Sequence, residues 1–390
     1  MRDFTFYNPT KIYFGKDSLN SLDRELPLYG KNILLIYGSG SIKKNGVYEA
    51  VVNKLKLHKK TIFEDSNVPP NPTIEKMQEG LSIARKNKID LVLAVGGGSV
   101  IDYAKCLAAL VNEKGDLWTR FLVNQEKVTA KNIPLATILT MVGTGSEMNG
   151  GSVISNATQK QKLSYNFAYN CYPKFSIVNP LFTLSVPSNQ MTAGIFDILS
   201  HVLEQYLSSG SPNTSDYVAE GLMRSLIDYA LVAIDDPLDY DARSNLAWTS
   251  TLALNSLLSR SKSGDWNVHQ ISHGVSAVLD TTHGKALAAI CVPYYNLLLS
   301  KNNKDCLSQF VRFAVNVWGI SPAKKTNIAT AKEGIQCLEN FIKKIGLPIR
   351  ANQFVKTQNI QPILKAVHLS NSGYEKVSLV EVEAILNCNN

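Results

Sequence analysis

Asp197 and His201 stand four residues apart inside a helical pattern, so their side chains share one face of a helix. His269 and His273 repeat that spacing in Trp266-Asn267-Val268-His269-Gln270-Ile271-Ser272-His273, and His283 follows in Thr281-Thr282-His283-Gly284. A divalent metal takes neutral imidazole nitrogens and a carboxylate, preferably from rigid helices, with a position left open for substrate. Any one of these histidines taken alone is more often a core residue. The combination of Asp-x3-His, His-x3-His and a further His points instead to a metal. No thiolate belongs to the set, so its ligands are nitrogen and oxygen, which suits Fe²⁺ or Zn²⁺. Spacing alone leaves open which of His269 and His273 is the ligand.

A second chemistry sits in the first half of the chain. Gly96-Gly97-Gly98-Ser99-Val100-Ile101-Asp102 follows an apolar run and opens a helical pattern. Glycines there let the backbone approach a diphosphate, and the helix start points free N–H groups at an anion. Gly38-Ser39-Gly40-Ser41-Ile42-Lys43 is a similar junction, with lysine where a third glycine would complete a dinucleotide fingerprint. A plain tight turn explains either loop by itself; two of them, each after a buried strand, favour a nucleotide. Residues 37–46 contain no Asp or Glu but offer Ser39, Ser41 and Lys43-Lys44. An acid in that place accepts from a ribose 2′-hydroxyl and repels a 2′-phosphate, so its absence favours NADP(H).

These groups need a scaffold. The run Lys31–Tyr37, a short β-like Lys60–Phe63, Ile89–Val95 and Ile133–Thr140 alternate with helical patterns, one across Val47, Val51, Val52 and Leu55 and another from Thr73 to about Asn87. Strands apolar on both faces and separated by helices predict a covered parallel sheet. After about Pro187 long helical periodicity takes over, with Ile290-Cys291-Val292 the main strand-like run. The expectation is an α/β domain over residues 1–186 and an all-helical domain over 187–390, ending in a frayed Asn387-Cys388-Asn389-Asn390.

Composition narrows the function classes. The 390 residues are 45% apolar and 18% charged, which is globular. No apolar run approaches the ~20 residues of a membrane span, and Met1-Arg2-Asp3-Phe4 lacks the pattern of a signal peptide. Six scattered cysteines read as reduced thiols of a cytoplasmic protein. The net charge of +8 is spread along the chain rather than gathered in a stripe, which speaks against a nucleic-acid binder and reads first as a solvated basic surface, with attraction of an anionic ligand such as a phosphorylated cofactor the lesser reading.

Taken in order, these segments resemble the iron-containing (group III) alcohol dehydrogenases, most closely their NADPH-dependent butanol dehydrogenase and aldehyde reductase branch. The similarity runs through Phe6–Thr10 with Tyr13-Phe14-Gly15, Tyr37–Lys44, Pro70-Asn71-Pro72, Gly96–Lys105, Gly143–Asn149, Asp197–His201, and Asp265-Trp266 leading into the histidines. It implies a Rossmann-like parallel-sheet domain followed by a helical domain, the dehydroquinate synthase-like architecture, assembled as a homodimer. It also implies a metal held by Asp197, His201, His269 and His283, with His273 beside nicotinamide and substrate. Cofactor contacts are implied for Gly38, Gly40, Ser41, Asn71, Gly97, Gly98, Ser99, Asp102, Thr140 and Thr144, with Asn149 and Lys162 near the nicotinamide ribose. Ser39, where the branch usually has glycine, belongs to the same loop. The implied reaction is hydride transfer between NADP(H) and a primary alcohol or aldehyde, with His273 a candidate proton relay or a packing residue. Departures are Asn179-Pro180 in place of Asp-Pro, Met141-Val142 in place of smaller residues, and Ser39. The rival readings are a metal-dependent lyase on the same fold and a non-catalytic relative.

Overall fold

The computed structural model describes residues 3–387; Met1, Arg2 and Cys388–Asn390 lie outside it, while Asn387, read above as part of a frayed end, is the last residue of a helix. Contacts divide the chain into two compact units. One is Tyr7–Val186, and the other runs from Pro187 onward and takes in Phe6 and the residues just before it.

The apolar runs of the first unit become strands buried on both faces, as Leu91–Gly96 shows along its whole length. Six strands form one parallel sheet: β1 (Lys11–Phe14), β2 (Asn32–Tyr37), β3 (Thr61–Asp65), β4 (Leu91–Gly96), β5 (Leu135–Leu139) and β8 (Phe175–Val178). Their order across the sheet is β1-β8-β5-β4-β2-β3. The chain steps outward from β2 to β3, returns to place β4 on the other side of β2, and continues to β5. The direction of winding thus reverses between β2 and β4, where open α/β sheets bind ligands at the carboxyl ends of their strands. Both glycine loops leave those two strands at that end. One face of the sheet packs Leu35, Tyr37, Leu93 and Val95 against Val51 and Leu55 of the helix Val47–Leu57. An antiparallel hairpin, β6 (Gly151–Asn156) and β7 (Gln161–Asn166), pairs apart from the sheet and docks on the proline-rich loop through Ser155 N–H to Pro72 O, 2.8 Å.

The second unit is helical throughout its described residues, from Ser188–Tyr206 to Leu379–Asn387. Local chemistry sets the ends. Asn213 and Asp216 form a reciprocal capping box for Thr214–Asp235, and Asn303 caps Lys304–Trp318. The strand-like Ile290-Cys291-Val292 lies inside the helix His283–Ser300 and is fully buried; an apolar run in a buried helix carries no periodicity to betray it.

Candidate metal centre and cofactor loops

Three helices of the second unit build the histidine cluster. The first, Ser188–Tyr206, presents Asp197 and His201 one turn apart. The second, Asn267–Leu279, starts after a left-handed Trp266 (φ 67°) and carries His269 and His273. The third, His283–Ser300, opens on His283 itself. Asp197 Oδ1 lies 3.6 Å from His201 Nδ1, 3.8 Å from His269 Nε2 and 3.7 Å from His283 Nε2. Two ligands about 2.1 Å from one tetrahedral cation are about 3.4 Å apart, so these separations fit a shared divalent ion. Asp197, His269 and His283 form the group whose ligand atoms all converge; His201, expected as a fourth ligand, stands outside that group, near Asp197 and with its ring 4.6 Å from that of His269.

His269 Nε2 is buried, has no hydrogen-bond partner among the described residues and lies 3.8 Å from Asp197 Oδ1. Burial lowers the pKa of this imidazole, but Glu204 and Asp197 outweigh burial and raise it to about 9. The pocket therefore favours positive charge. Ser272 Oγ lies 3.2 Å from His283 Nδ1, leaving Nε2 toward Asp197. His273 is outside the convergent group; its ring stacks on His283 at 5.3 Å and 29°. The convergent group thus takes in His269 and not His273.

In the first unit, Gly40 has φ 105°, a left-handed backbone that favours glycine, and it precedes the single turn Ser41–Lys44. Gly98 opens the helix Gly98–Leu110 with its free amides, and a Cβ there would meet Thr144 Cγ2 at 2.4 Å. Met141, one of the departures, packs on Gly97, whose Cβ would lie 3.0 Å from that of Met141. Thr140 N–H donates to Gly96 O at 3.0 Å, so the loops after β4 and β5 are tied together. Ser99 Oγ donates to Pro70 O, and Lys162 Nζ donates to Asn71 Oδ1 at 2.8 Å, joining β7 to the loop after β3.

Asp102 and Asn149 have a different setting from the open loops. Asp102 Oδ1 accepts from Ser146 Oγ at 2.5 Å and Oδ2 from Val153 N–H at 2.9 Å. Asn149 Oδ1 accepts from Lys105 Nζ at 3.0 Å, and its Nδ2 donates to Gly145 O at 2.9 Å. Lys105 is fully buried and also donates to Ser146 Oγ and Gly151 O. Burial lowers its pKa to about 8, with Asp102 and Glu147 opposing that shift, so it stays mostly protonated at neutral pH. This network fastens the loop Gly143–Asn149 to the glycine-led helix.

Two carboxylates escaped the sequence reading. Glu204 lies behind His269. Glu64 lies on β3, beyond residues 37–46, and accepts from Tyr37 OH at 2.5 Å and Tyr48 OH at 2.6 Å. Lys43 Nζ stands over both tyrosine rings, 5.0 and 4.7 Å from their centroids. A search for a ribose acid carried past the first loop to the end of β3 would have met Glu64 and Asp65.

Known proteins share this fold. A family model described as iron-containing alcohol dehydrogenase matches residues 9–180, and one described as Fe-containing alcohol dehydrogenase family, C-terminal, matches residues 191–389. NADH-dependent butanol dehydrogenase A of Clostridium acetobutylicum is 38% identical over 98% of this chain and 97% of its own. NADPH-dependent aldehyde reductase YqhD of Escherichia coli is 31% identical over 91% of this chain and 89% of its own. The crystal structure of NADH-dependent butanol dehydrogenase A from Thermotoga maritima has a TM-score of 0.93 and 35% identity, covering 99% of this chain and 98% of that one.

Proposed function

Since the chain belongs to the iron-containing alcohol dehydrogenase family, we propose that it interconverts primary alcohols and aldehydes of butanol-like size by hydride transfer, using NADP(H) and one divalent metal, Fe²⁺ or Zn²⁺. The observation that carries this reading is the convergence of Asp197, His269 and His283 on one point, with His201 beside them. A cation held there supplies Lewis acidity, and a nicotinamide supplies or accepts the hydride. The protein's own part is to hold four ligands from rigid helices and to keep His273 next to His283 as a proton carrier. The glycine loops at the β2/β4 reversal offer backbone amides to the diphosphate.

For the 2′-phosphate, Ser39, Ser41 and Lys43-Lys44 supply donors, and residues 37–46 hold no acid. Glu64 is occupied by two tyrosine hydroxyls and faced by Lys43, which offsets its charge. The competing reading, NADH, has Glu64 itself and the printed names of the butanol dehydrogenase relatives in its favour. The lyase reading requires basic residues for a phosphorylated sugar acid. The two in residues 262–285 are committed elsewhere: Lys262 to Asp216 at 3.1 Å and Lys285 to the Phe354 ring at 4.7 Å. No helix among the described residues is long and apolar enough to cross a membrane, and Cys106, Cys171, Cys291, Cys306 and Cys337 are free thiols. Both features accord with a cytoplasmic enzyme, which we take to work as a homodimer.

The test is turnover of butanal with NADPH and with NADH, for wild type and Ser39→Asp. Wild type is expected to prefer NADPH. The aspartate should cost NADPH about 1–3 kcal/mol of transition-state stabilisation relative to NADH, the worth of one or two charge-assisted hydrogen bonds. Equal or better kcat/KM with NADH in wild type would sink the cofactor assignment; no turnover with either would sink the dehydrogenase reading.

A further inference from the structure

Glu204 has no exposed surface, and a buried carboxylate is expensive unless its oxygens are satisfied. The partners of its side chain all belong to the first turn of the helix Asn267–Leu279. Oε1 accepts from Val268 N–H at 2.8 Å and from His269 N–H at 3.4 Å, and Oε2 meets His269 Nδ1. One carboxylate therefore grips both the backbone and the ring of the same histidine. Glu204 shares a helix with Asp197 and His201, three residues beyond the latter, so the three acidic and imidazole groups are set by one rigid element.

We infer that Glu204 is a positioning residue of the metal centre: it holds His269 with its proton on Nδ1, so that Nε2 is presented to the cation. The inference rests on the reading of Asp197, His201, His269 and His283 as metal ligands. A carboxylate on the far nitrogen of a ligating imidazole fixes ring orientation and tautomer and raises ligand basicity. Charge points the same way. The carboxylates of Asp197 and Glu204 together balance a divalent cation in a buried pocket, and replacing one by an amide leaves that pocket with an excess positive charge. Glu204 also satisfies amides at the start of Asn267–Leu279, a capping duty that Gln can perform through its carbonyl oxygen. The two roles therefore separate in the isosteric variant Glu204→Gln, which keeps an acceptor for the amides and loses the charge at Nδ1.

The experiment is Co²⁺ affinity of the folded, metal-stripped protein, measured by competition with a chelator and read by visible absorption, for wild type and Glu204→Gln. The expected result is an affinity lower by about 10–100-fold in the variant, with circular dichroism and NADPH binding unchanged. Equal affinity in the two proteins would overturn the inference and leave the metal site standing. A wild type that binds no Co²⁺, alongside a variant that binds none, would overturn the metal reading and this inference with it. Should Glu204→Gln not fold, nitrogen-15 NMR of Zn²⁺-loaded wild type reads the same point. A slowly exchanging Nδ1–H on a His269 coordinated through Nε2 supports the role, and coordination through Nδ1 overturns it.

Discussion

Replacing the His269 imidazole by a methyl group removes one of the groups that converge with Asp197 and leaves Glu204 a buried charge with only backbone partners. His269→Ala is therefore expected to lose metal binding and turnover while the α/β unit still binds NADPH. Full metal occupancy in that variant, by mass spectrometry beside wild type, would show that His269 is not a ligand. His273→Ala is the paired experiment. Its ring stacks on His283 outside the convergent group, so the metal should stay and turnover should fall on the order of 10²-fold if the imidazole carries a proton. A pH–rate profile identical to wild type would leave His273 a packing residue. At this scale residue types and i, i+4 spacing delivered the candidates, but not the choice between His269 and His273, because both face the same side of one helix. Glu204 went unread although it continues the Asp197 and His201 stripe. A carboxylate in an apolar helix is ambiguous until its partner, 65 residues away in sequence, is seen.

The helices hold these groups at working distance through close packing of small residues. A Cβ on Gly284 would lie 2.0 Å from the carbonyl oxygen of Ala193, a backbone atom that cannot step aside. Gly284→Ala should push His283–Ser300 away from Ser188–Tyr206, at a cost of about 1–3 kcal/mol, and widen the gap between His283 and Asp197. The expected outcome is a lower melting temperature together with weaker metal binding; an unchanged melting temperature would mean that the two helices are not in contact there. Gly221 makes the control. It lies inside Thr214–Asp235 with nothing within 4 Å of its Cβ position, so Gly221→Ala should stabilise by about 0.5–1 kcal/mol without touching the metal. Elements of this kind were legible where periodicity was long or burial complete, as in β2, β4 and the histidine helices. The short edge strand β1 and the hairpin β6–β7 were not, since runs of four to six residues with mixed exposure lack a period to detect, and β8, though buried throughout, is only four residues long.

At the level of the whole molecule, the two chemistries reside in different compact units, so their ligands should stabilise different parts of the chain. A cation that binds only the folded helical unit adds RT ln(1 + [L]/Kd), about 4 kcal/mol at a thousandfold excess over Kd. Each kcal/mol moves the melting of a unit of this size by about 2–4 °C, so stripping the metal should lower its transition by roughly 8–16 °C. The unfolded chain keeps the same histidines but scatters Asp197, His201, His269 and His283 over 87 positions of sequence, so it competes poorly for the ion. Calorimetry with and without chelator, on wild type and His269→Ala, isolates the effect: the variant should melt near chelated wild type and ignore added metal. Saturating NADPH should raise stability through Tyr7–Val186 instead, and Ser39→Asp should weaken that gain while leaving the metal-linked shift intact. A chelator that leaves the wild-type transition where it was would mean that the buried convergence of carboxylate and imidazoles holds no tightly bound ion. The raised pKa of His269 would then mark a structural ion pair with Glu204 and Asp197, not a ligand waiting for a metal.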